Sequence, residues 1–440
     1  MKDSEVFMKL DAVTTALLLN RHKKYNEFVN QDGTLVVKLK KALYGCVESA
    51  KLWYDHLASV LSDFGFTTNP YDKCVFNKIY SEQNRTVQMT VLVYVDDLMI
   101  TCVDKVKIDE FIQYLKDCFK TVTDKYGDVH SFLGMNFNFT QNGKVNITMN
   151  GFIEDVLKAT NTQKFAKTPA NENLFKLADN ELQRPLNKDQ AKEFHSIVAK
   201  LLYLAKRVRP DILTAVSFLT TRVKAPDEYD DQKLKRVLHY LNNTRDMGIT
   251  LEKQFDMPVA YIDASYATHP DYKSHSGMYI TFGKGPILTA SSKQKVNSKS
   301  STEAEIIALS DKLGDVLWVR EFWLCQNNYK NSSNNNNPNI NPNINPNKEQ
   351  CIIFQDNVSA ITLMEKGRST TNNTKHINIR YFFVKDKIDN GEIKLEYKNT
   401  QDMIADLFTK PLQGKVFCHL RHLALNCKQT DSSVNSTTTT

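Results

Sequence analysis

Between Val91 and Cys102 the chain reads VLVYVDDLMITC, and this stretch constrains the fold more than any other. Two short runs rich in Val, Ile and Tyr, Val91–Val95 and Leu98–Cys102, flank the adjacent carboxylates Asp96 and Asp97. Runs of that length and composition predict strands. A two-residue connection predicts a tight hairpin with both acids at its tip. Two ionised carboxylates side by side repel each other, so holding them together calls for a cation. Oxygen-only ligation suits Mg²⁺. Taken alone, Asp-Asp between strands is equally what an ordinary surface turn contains.

The flanking sequence predicts an α+β layer around this hairpin. Residues 5–10 alternate like a strand, and Val36–Leu39 predicts another after the turn at Asp32-Gly33. Leu52, Trp53, Leu57, Val60, Leu61 and Phe64 follow helical spacing, with Gly65 placed to end the helix. Cys74–Ile79 and Thr86–Val95 read as strands, and Ile108, Phe111, Ile112, Leu115 and Phe119 as a one-faced helix. Helices behind an antiparallel sheet follow. From about Asn150 to Lys253 the pattern turns helical, with apolar stripes at Phe194–Ala205, Ile212–Leu219 and Leu234–Leu241 in a locally basic stretch. Such a surface could track phosphates or simply be solvated.

After Pro258 the order becomes strand (Val259–Asp263), strand (Gly277–Phe282), strand (Ile287–Ser291), then a long helix from Thr302 to about Cys325. Strand Cys351–Gln355, helices from Val358 and around Ile379–Ile388, strand Glu392–Tyr397 and a helix from Gln401 follow. An Asn-rich tract within 327–347 is polar, repetitive and proline-broken, so it predicts a disordered insertion in one domain. The Ser/Thr-rich tail reads the same way.

At 440 residues, about three domains are expected. The divisions fall at 1–149, 150–257 and 258–425 (carrying the insertion 327–349), with a tail at 426–440. The net charge of +7 permits a nucleic-acid partner without requiring one. The eight cysteines include no Cys-x-x-Cys pair, which suits a reducing compartment. No apolar run reaches transmembrane length, so no membrane partner is expected.

Four acids of the C-terminal unit stand where structure would let them converge. Asp263 closes the first strand, Glu305 lies in the first turn of the long helix, Asp356 ends a later strand, and Asp406 lies in the last helix. Sites in open α/β sheets form beyond strand carboxyl ends. Four converging carboxylates can hold two divalent cations about 4 Å apart, an arrangement that cleaves phosphodiesters. Singly, Asp356 could cap a helix and Glu305 could complement a helix dipole. Their joint placement on this element order is the more specific reading.

Several motifs resemble ribonuclease H of copia-type LTR retrotransposons: AYIDASYA (260–267), SHSGMYITFG (274–283), SKSSTEAEIIALS (298–310), FQDNVSAI (354–361), TKHINIRYFF (374–383) and ADLFTKPL (405–412). The resemblance implies a ribonuclease-H-like mixed sheet flanked by helices. It implies Asp263, Glu305, Asp356 and Asp406 as catalytic metal ligands, with two Mg²⁺ or Mn²⁺ ions and an RNA–DNA hybrid as substrate. Glu303 is the alternative to Glu305. The basic stretch Lys284–Lys299, including Lys293 and Lys295, could grip phosphates, although a solvated turn explains it as well. His376 matches a family-typical position without a derivable role.

Upstream, KLKKALYGCVESAKLWYDHL (38–57), with Tyr44 and Gly45, resembles the motif near the template grip of the same family's reverse transcriptase. YVDD (94–97) resembles the catalytic hairpin, and FLGM (132–135) the motif after the palm. The segments 201–212 and 240–251 resemble the connecting, thumb-like region. Such a polymerase needs Asp96, Asp97 and a third aspartate on an earlier strand. EVFMKL (5–10) resembles the strand just after that motif, so the third aspartate is expected upstream of Met1 and Asp11 is an ordinary loop residue.

The expectation is therefore a retrotransposon reverse transcriptase/ribonuclease H fragment with an incomplete palm and a complete-looking nuclease. Its expected partners are hybrid, template RNA or DNA, dNTPs if the polymerase is complete, and other Pol or Gag products. The expected location is a cytoplasmic virus-like particle, with the nucleus as alternative. Two other readings stay open: a catalytically dead or domesticated nucleic-acid-binding relic, and a different two-metal nuclease on the same fold.

Overall fold

A computed structural model of the chain describes residues 6–41, 43, 45–82, 85–179, 181, 183–331, 349–367 and 375–427. Tyr44, most of the Asn-rich tract and the tail after Cys427 lie outside the described residues. The chain divides into two compact units, one up to Asp124 and one from Lys125 onward.

In the first unit β1 (Phe7–Leu10) pairs antiparallel with β2 (Leu35–Lys38), and α1 (Ala12–Arg21) lies between them in sequence. After α2 (Val47–Asp63) comes an antiparallel sheet of β3 (Thr67–Thr68), β4 (Val75–Glu82), β5 (Arg85–Tyr94) and β6 (Asp97–Thr101), followed by α3 (Lys105–Cys118). The period of two is visible on β5, where Val87, Met89, Val91 and Val93 are all buried. Met89, Val91 and Val93 meet Leu57 and Leu61 of α2 and Phe111 and Leu115 of α3 in one core, so both helices back the sheet.

The second unit opens with β7 (Val129–Phe132), β8 (Met135–Phe139) and β9 (Val145–Thr148). FLGM is the β7–β8 hairpin: Phe132 pairs with Met135, and Leu133 (φ 53°) and Gly134 (φ 72°) both take the left-handed conformation of a primed turn. The helices α4 (Asn150–Ala159), α5 (Lys188–Arg207), α6 (Leu213–Thr220) and α7 (Glu228–Asn243) follow. β10 (Ile249–Lys253) then pairs back onto β9 and is joined by β13 (Gly283–Lys284). This sheet therefore runs across the expected divisions at 149/150 and 257/258.

A second sheet holds β11 (Val259–Ser265), β12 (His275–Thr281), β14 (Leu288–Lys293), β15 (Cys351–Gln355) and β16 (Ile393–Tyr397) in the order β14-β12-β11-β15-β16. The first three strands are antiparallel, and β15 and β16 add parallel to β11. With α8 (Ser301–Asn331), α9 (Val358–Lys366), α10 (Lys375–Asp389) and α11 (Gly414–Leu425), this is an α/β unit with the expected element order. The helix α8 runs into the start of the Asn-rich tract, past the expected end at Cys325.

Each face of the sheet has its own core. Ala260, Ile262, Ala264, Met278 and Ile280 pack with Ile306, Leu309, Leu313 and Val316 of α8. Tyr279 instead joins a core made with Leu407, Phe408, Phe417 and Leu420 and with Val198, Leu201, Val216 and Leu241 of the helices. The helical module also closes the edge strand β14. Lys206 donates to the Thr289 carbonyl (2.8 Å) and Ser217 to the Ser291 carbonyl (2.8 Å). Covering an edge in this way removes a template for unwanted pairing. Among the described residues no helix is long and apolar enough to cross a membrane.

Candidate metal centre

The strand β11 supplies the first acid. Its even-numbered residues Ala260, Ile262 and Ala264 face α8, so Tyr261, Asp263 and Ser265 point to the opposite face. Asp263 is 1% exposed and stands directly across from Gly277 of β12. A Cβ at Gly277 would lie 2.7 Å from Thr409 Cγ2 and 2.9 Å from the Ala405 carbonyl. Only glycine lets the short 3₁₀ turn Ile404–Phe408 rest on the strand there, which brings Asp406 to Asp263. The adjacent parallel strand β15 ends at Gln355, and Asp356 follows at the same end of the sheet. Carboxylate oxygens of Asp263, Asp356 and Asp406 all lie within 4.8 Å of one another.

Neighbouring side chains fix these acids. The Thr409 hydroxyl donates to Asp263 Oδ2, and Thr400 donates to Asp356 Oδ2 at 2.9 Å. The Lys410 ammonium is 2.7 Å from Asp406 Oδ1 and 3.6 Å from Asp263 Oδ2. Burial, and then the nearby Asp263 charge, push the Asp406 carboxyl up to about 7 in spite of Lys410. Burial opposes the Lys410 charge, but Asp263 and Asp406 outweigh it and hold the ammonium above its ordinary range. Glu305 is buried on α8 and is raised well above the usual carboxylate range by burial, then by Asp263 and Asp356. Gln355 Nε2 donates to it at 3.3 Å. Glu305 is thus a near fourth member beside the closer triad.

The donor set is all oxygen, which fits a hard divalent cation. Like charges packed this closely in a buried site raise one another, and a bound cation is what relieves that repulsion.

Several expected positions need correction. Asp263 does not close its strand, because β11 continues to Ser265, whose hydroxyl donates to the Thr409 carbonyl (3.0 Å). Glu305 lies past the first turn of α8, since the helix begins at Ser301; the first-turn acid is Glu303. Glu303 accepts the Lys299 amide at 2.6 Å and so serves the helix start. Asp406 is not in the last helix: Pro411 intervenes, and α11 begins only at Gly414. Asp356 is not the cap of α9, because Asn357 accepts the Ala360 amide there.

The first unit's acids are placed differently. Tyr94 pairs with Asp97, so the hairpin loop is Val95–Asp96, one residue earlier than expected, with Asp97 opening β6. Val95 takes φ 55°, an uncommon conformation for a β-branched residue, and its carbonyl accepts Trp53 Nε1 at 2.6 Å. Asp96 and Asp97 are both exposed. Asp11 is the N-cap of α1, accepting the Thr14 amide at 2.7 Å, rather than a loop residue.

Of the expected nucleic-acid contacts, Gly45 is exposed with φ 94°, and Lys295 is exposed. Lys293 is half-buried and paired with Asp271 at 2.7 Å. Thr400, Thr409 and Lys410 were missed as parts of the site. Lys410 had a readable signal, since it stands four residues after Asp406 in ADLFTKPL.

Residues 18–171 match the family described as reverse transcriptase (RNA-dependent DNA polymerase). Over 397 residues the chain is 32% identical to the retrovirus-related Pol polyprotein from transposon RE1 of Arabidopsis thaliana, covering 89% of this chain and 25% of that protein. Over most of its length the chain is similar to retrotransposon Pol polyproteins of the copia type. The Pol polyprotein from transposon TNT 1-94 of Nicotiana tabacum is 27% identical over 390 residues, covering 87% of this chain and 28% of that protein. This Pol relative therefore spans about a quarter of the length of such polyproteins. A putative transposon Ty5-1 protein of Saccharomyces cerevisiae is 29% identical over 66% of this chain and 92% of its own length. Among solved structures, an RNase H1 isolated from compost by a metagenomic approach is 14% identical, covering 35% of this chain and 94% of that one. Its TM-score is 0.24.

Proposed function

We propose that the buried carboxylate cluster is a metal-dependent ribonuclease H centre that cleaves the RNA strand of RNA–DNA hybrids, carried by a fragment of a retrotransposon reverse transcriptase. The observation that supports it most is the triad Asp263, Asp356 and Asp406, with oxygens within 4.8 Å of one another. These three, with Glu305, would hold two Mg²⁺ or Mn²⁺ ions. Ions held there would supply the Lewis acidity that water activation and leaving-group stabilisation in phosphodiester hydrolysis need. The chain's own residues orient the ligands. Thr409 holds Asp263, Thr400 holds Asp356 and Gln355 holds Glu305. Lys410 keeps Asp406 and Asp263 turned toward each other. The exposed Lys295 would meet hybrid phosphates.

Asp96 and Asp97 are the inherited metal turn of the polymerase. Template-directed use of dNTPs at that turn is the second part of the proposal. Association with other Pol or Gag products in a cytoplasmic particle belongs to the same reading.

The test is an RNA–DNA hybrid supplied with Mg²⁺ or Mn²⁺. Wild type should cut the RNA strand, and Asp356→Asn should lose several kcal/mol of metal-derived stabilisation, roughly a thousandfold in rate. Equal cleavage by the two sinks the assignment. Hybrid binding without any cleavage by wild type would favour the relic reading instead.

A further inference from the structure

We infer that Thr214, on α6 of the helical module, is a positioning residue for the carboxylate cluster, so that the module from about residue 168 to 243 is part of the nuclease centre rather than a spacer before it. This rests on the nuclease reading above. Asp406 sits on a single 3₁₀ turn, whereas Asp263 and Glu305 stand on a strand and a long helix. A ligand on so short an element takes its precision from what grips the turn.

Two grips come from far upstream. The buried Thr214 hydroxyl donates to the Leu407 carbonyl at 2.7 Å, across a separation of 193 residues. On the far side of the turn, Gln413 Nε2 donates to the Ala170 carbonyl at 2.8 Å and Gln413 Oε1 accepts from Thr168 at 3.0 Å. Thr168 is itself fixed by Arg236 of α7 (2.9 Å). Leu407 and Phe408 bury their side chains in the same core as Val216, Phe218 and Leu219 of α6. Thr214, Asp211, Leu407 and Lys410 line one small cavity, and the Lys410 ammonium contacts Asp406 and Asp263.

The sheet holds the Asp406 turn from below, through Gly277 and Ser265. The helices hold it from above. Loss of the Thr214 hydroxyl leaves the Leu407 carbonyl without that donor and lets Asp406 drift. The consequence is weaker metal holding rather than weaker hybrid binding.

The experiment compares wild type, Thr214→Val (the same shape without the hydroxyl) and Thr214→Ser (the hydroxyl restored), all as the full chain. Three readings are taken: Mg²⁺ half-saturation of hybrid cleavage, Mn²⁺ binding by calorimetry, and hydrogen exchange of the 404–412 amides without metal. The expected result is about a tenfold weaker metal response in Thr214→Val, with an unchanged KM for hybrid, faster exchange at 404–412, and recovery in Thr214→Ser. Unchanged metal response and exchange overturn the inference. So does a lowered melting temperature with unchanged metal half-saturation, which marks a merely structural role. If Thr214→Val does not fold, Gln413→Ala loosens the turn from the other side and is judged by the same outcomes. If wild type neither cleaves nor binds Mn²⁺, the nuclease reading fails. Exchange then decides this inference alone: lost protection in Thr214→Val supports it, and equal exchange overturns it.

Discussion

The molecule carries two acidic centres that look alike as sequence and differ as structure. Asp96 and Asp97 are neighbours in the chain, both exposed, one in the loop of a hairpin and the other opening its second strand. Asp263, Asp356 and Asp406 are far apart in the chain and are brought within 4.8 Å by two strands and a turn. Adjacent carboxylates diverge unless a third group closes on them. Remote carboxylates converge because a sheet, a helix and a buried turn hold each one. Adjacency in sequence is therefore a weak guide to a metal site, and shared tertiary support is the stronger one.

The sharpest way to break this comparison is to neutralise one acid in each centre. Asp356→Asn should abolish hybrid cleavage, roughly a thousandfold loss, while Asp96→Asn should leave it unchanged. Equal losses would mean that the two centres serve one reaction.

A smaller effect separates them by pH. The Asp406 carboxyl is raised from 3.8 to about 7. Across that window the folded chain binds a proton that the unfolded chain has released, so metal-free stability is greatest below the window and falls as pH rises through about 7. Mg²⁺ competes with that proton. Its stabilisation, about 2.7 kcal/mol at a hundredfold excess over the dissociation constant, should grow as pH rises through about 7. Melting curves with and without Mg²⁺ check this, and a metal-dependent gap that ignores pH counts against Asp406 as a ligand.

The smallest effects are on packing. Gly277→Ala forces a Cβ into Thr409 and the Ala405 carbonyl and should cost about 1–3 kcal/mol, with cleavage falling as Asp406 is displaced. Val95→Gly relieves a left-handed β-branched residue and should change stability by no more than about 1 kcal/mol, with no effect on cleavage. Thermal denaturation of both variants ranks them. A larger shift from Val95→Gly would place more strain in the exposed turn than its geometry suggests.

Much of this was legible in the sequence because it rests on periodicity. The β5–β6 hairpin, α2, α3, the three helical stripes and the chain order of elements in the C-terminal unit all follow from apolar spacing. The hairpin register was not, because no glycine marks the turn and Val95, which rarely takes positive φ, fills that place. Asp406 was named but put in the wrong element, since Ile404, Leu407 and Phe408 follow helical spacing yet form only a 3₁₀ turn before Pro411. The shared core of the helices with Leu407, Phe408 and Phe417 could not be read at all. Apolar stripes show that a face is buried, not which remote face covers it.

The turn that carries Asp406 also sets a schedule. During synthesis, β11, α8 and β15 can form around Asp263, Glu305 and Asp356 before the segment from Ile404 to Leu425 exists outside the ribosome. That segment must then find both β12 and helices made about two hundred residues earlier, as the 193-residue span from Thr214 to Leu407 illustrates. Contacts of such sequence separation form late and slowly. The growing chain thus holds Asp263, Glu305 and Asp356 without Asp406 until that segment arrives, and the centre closes last.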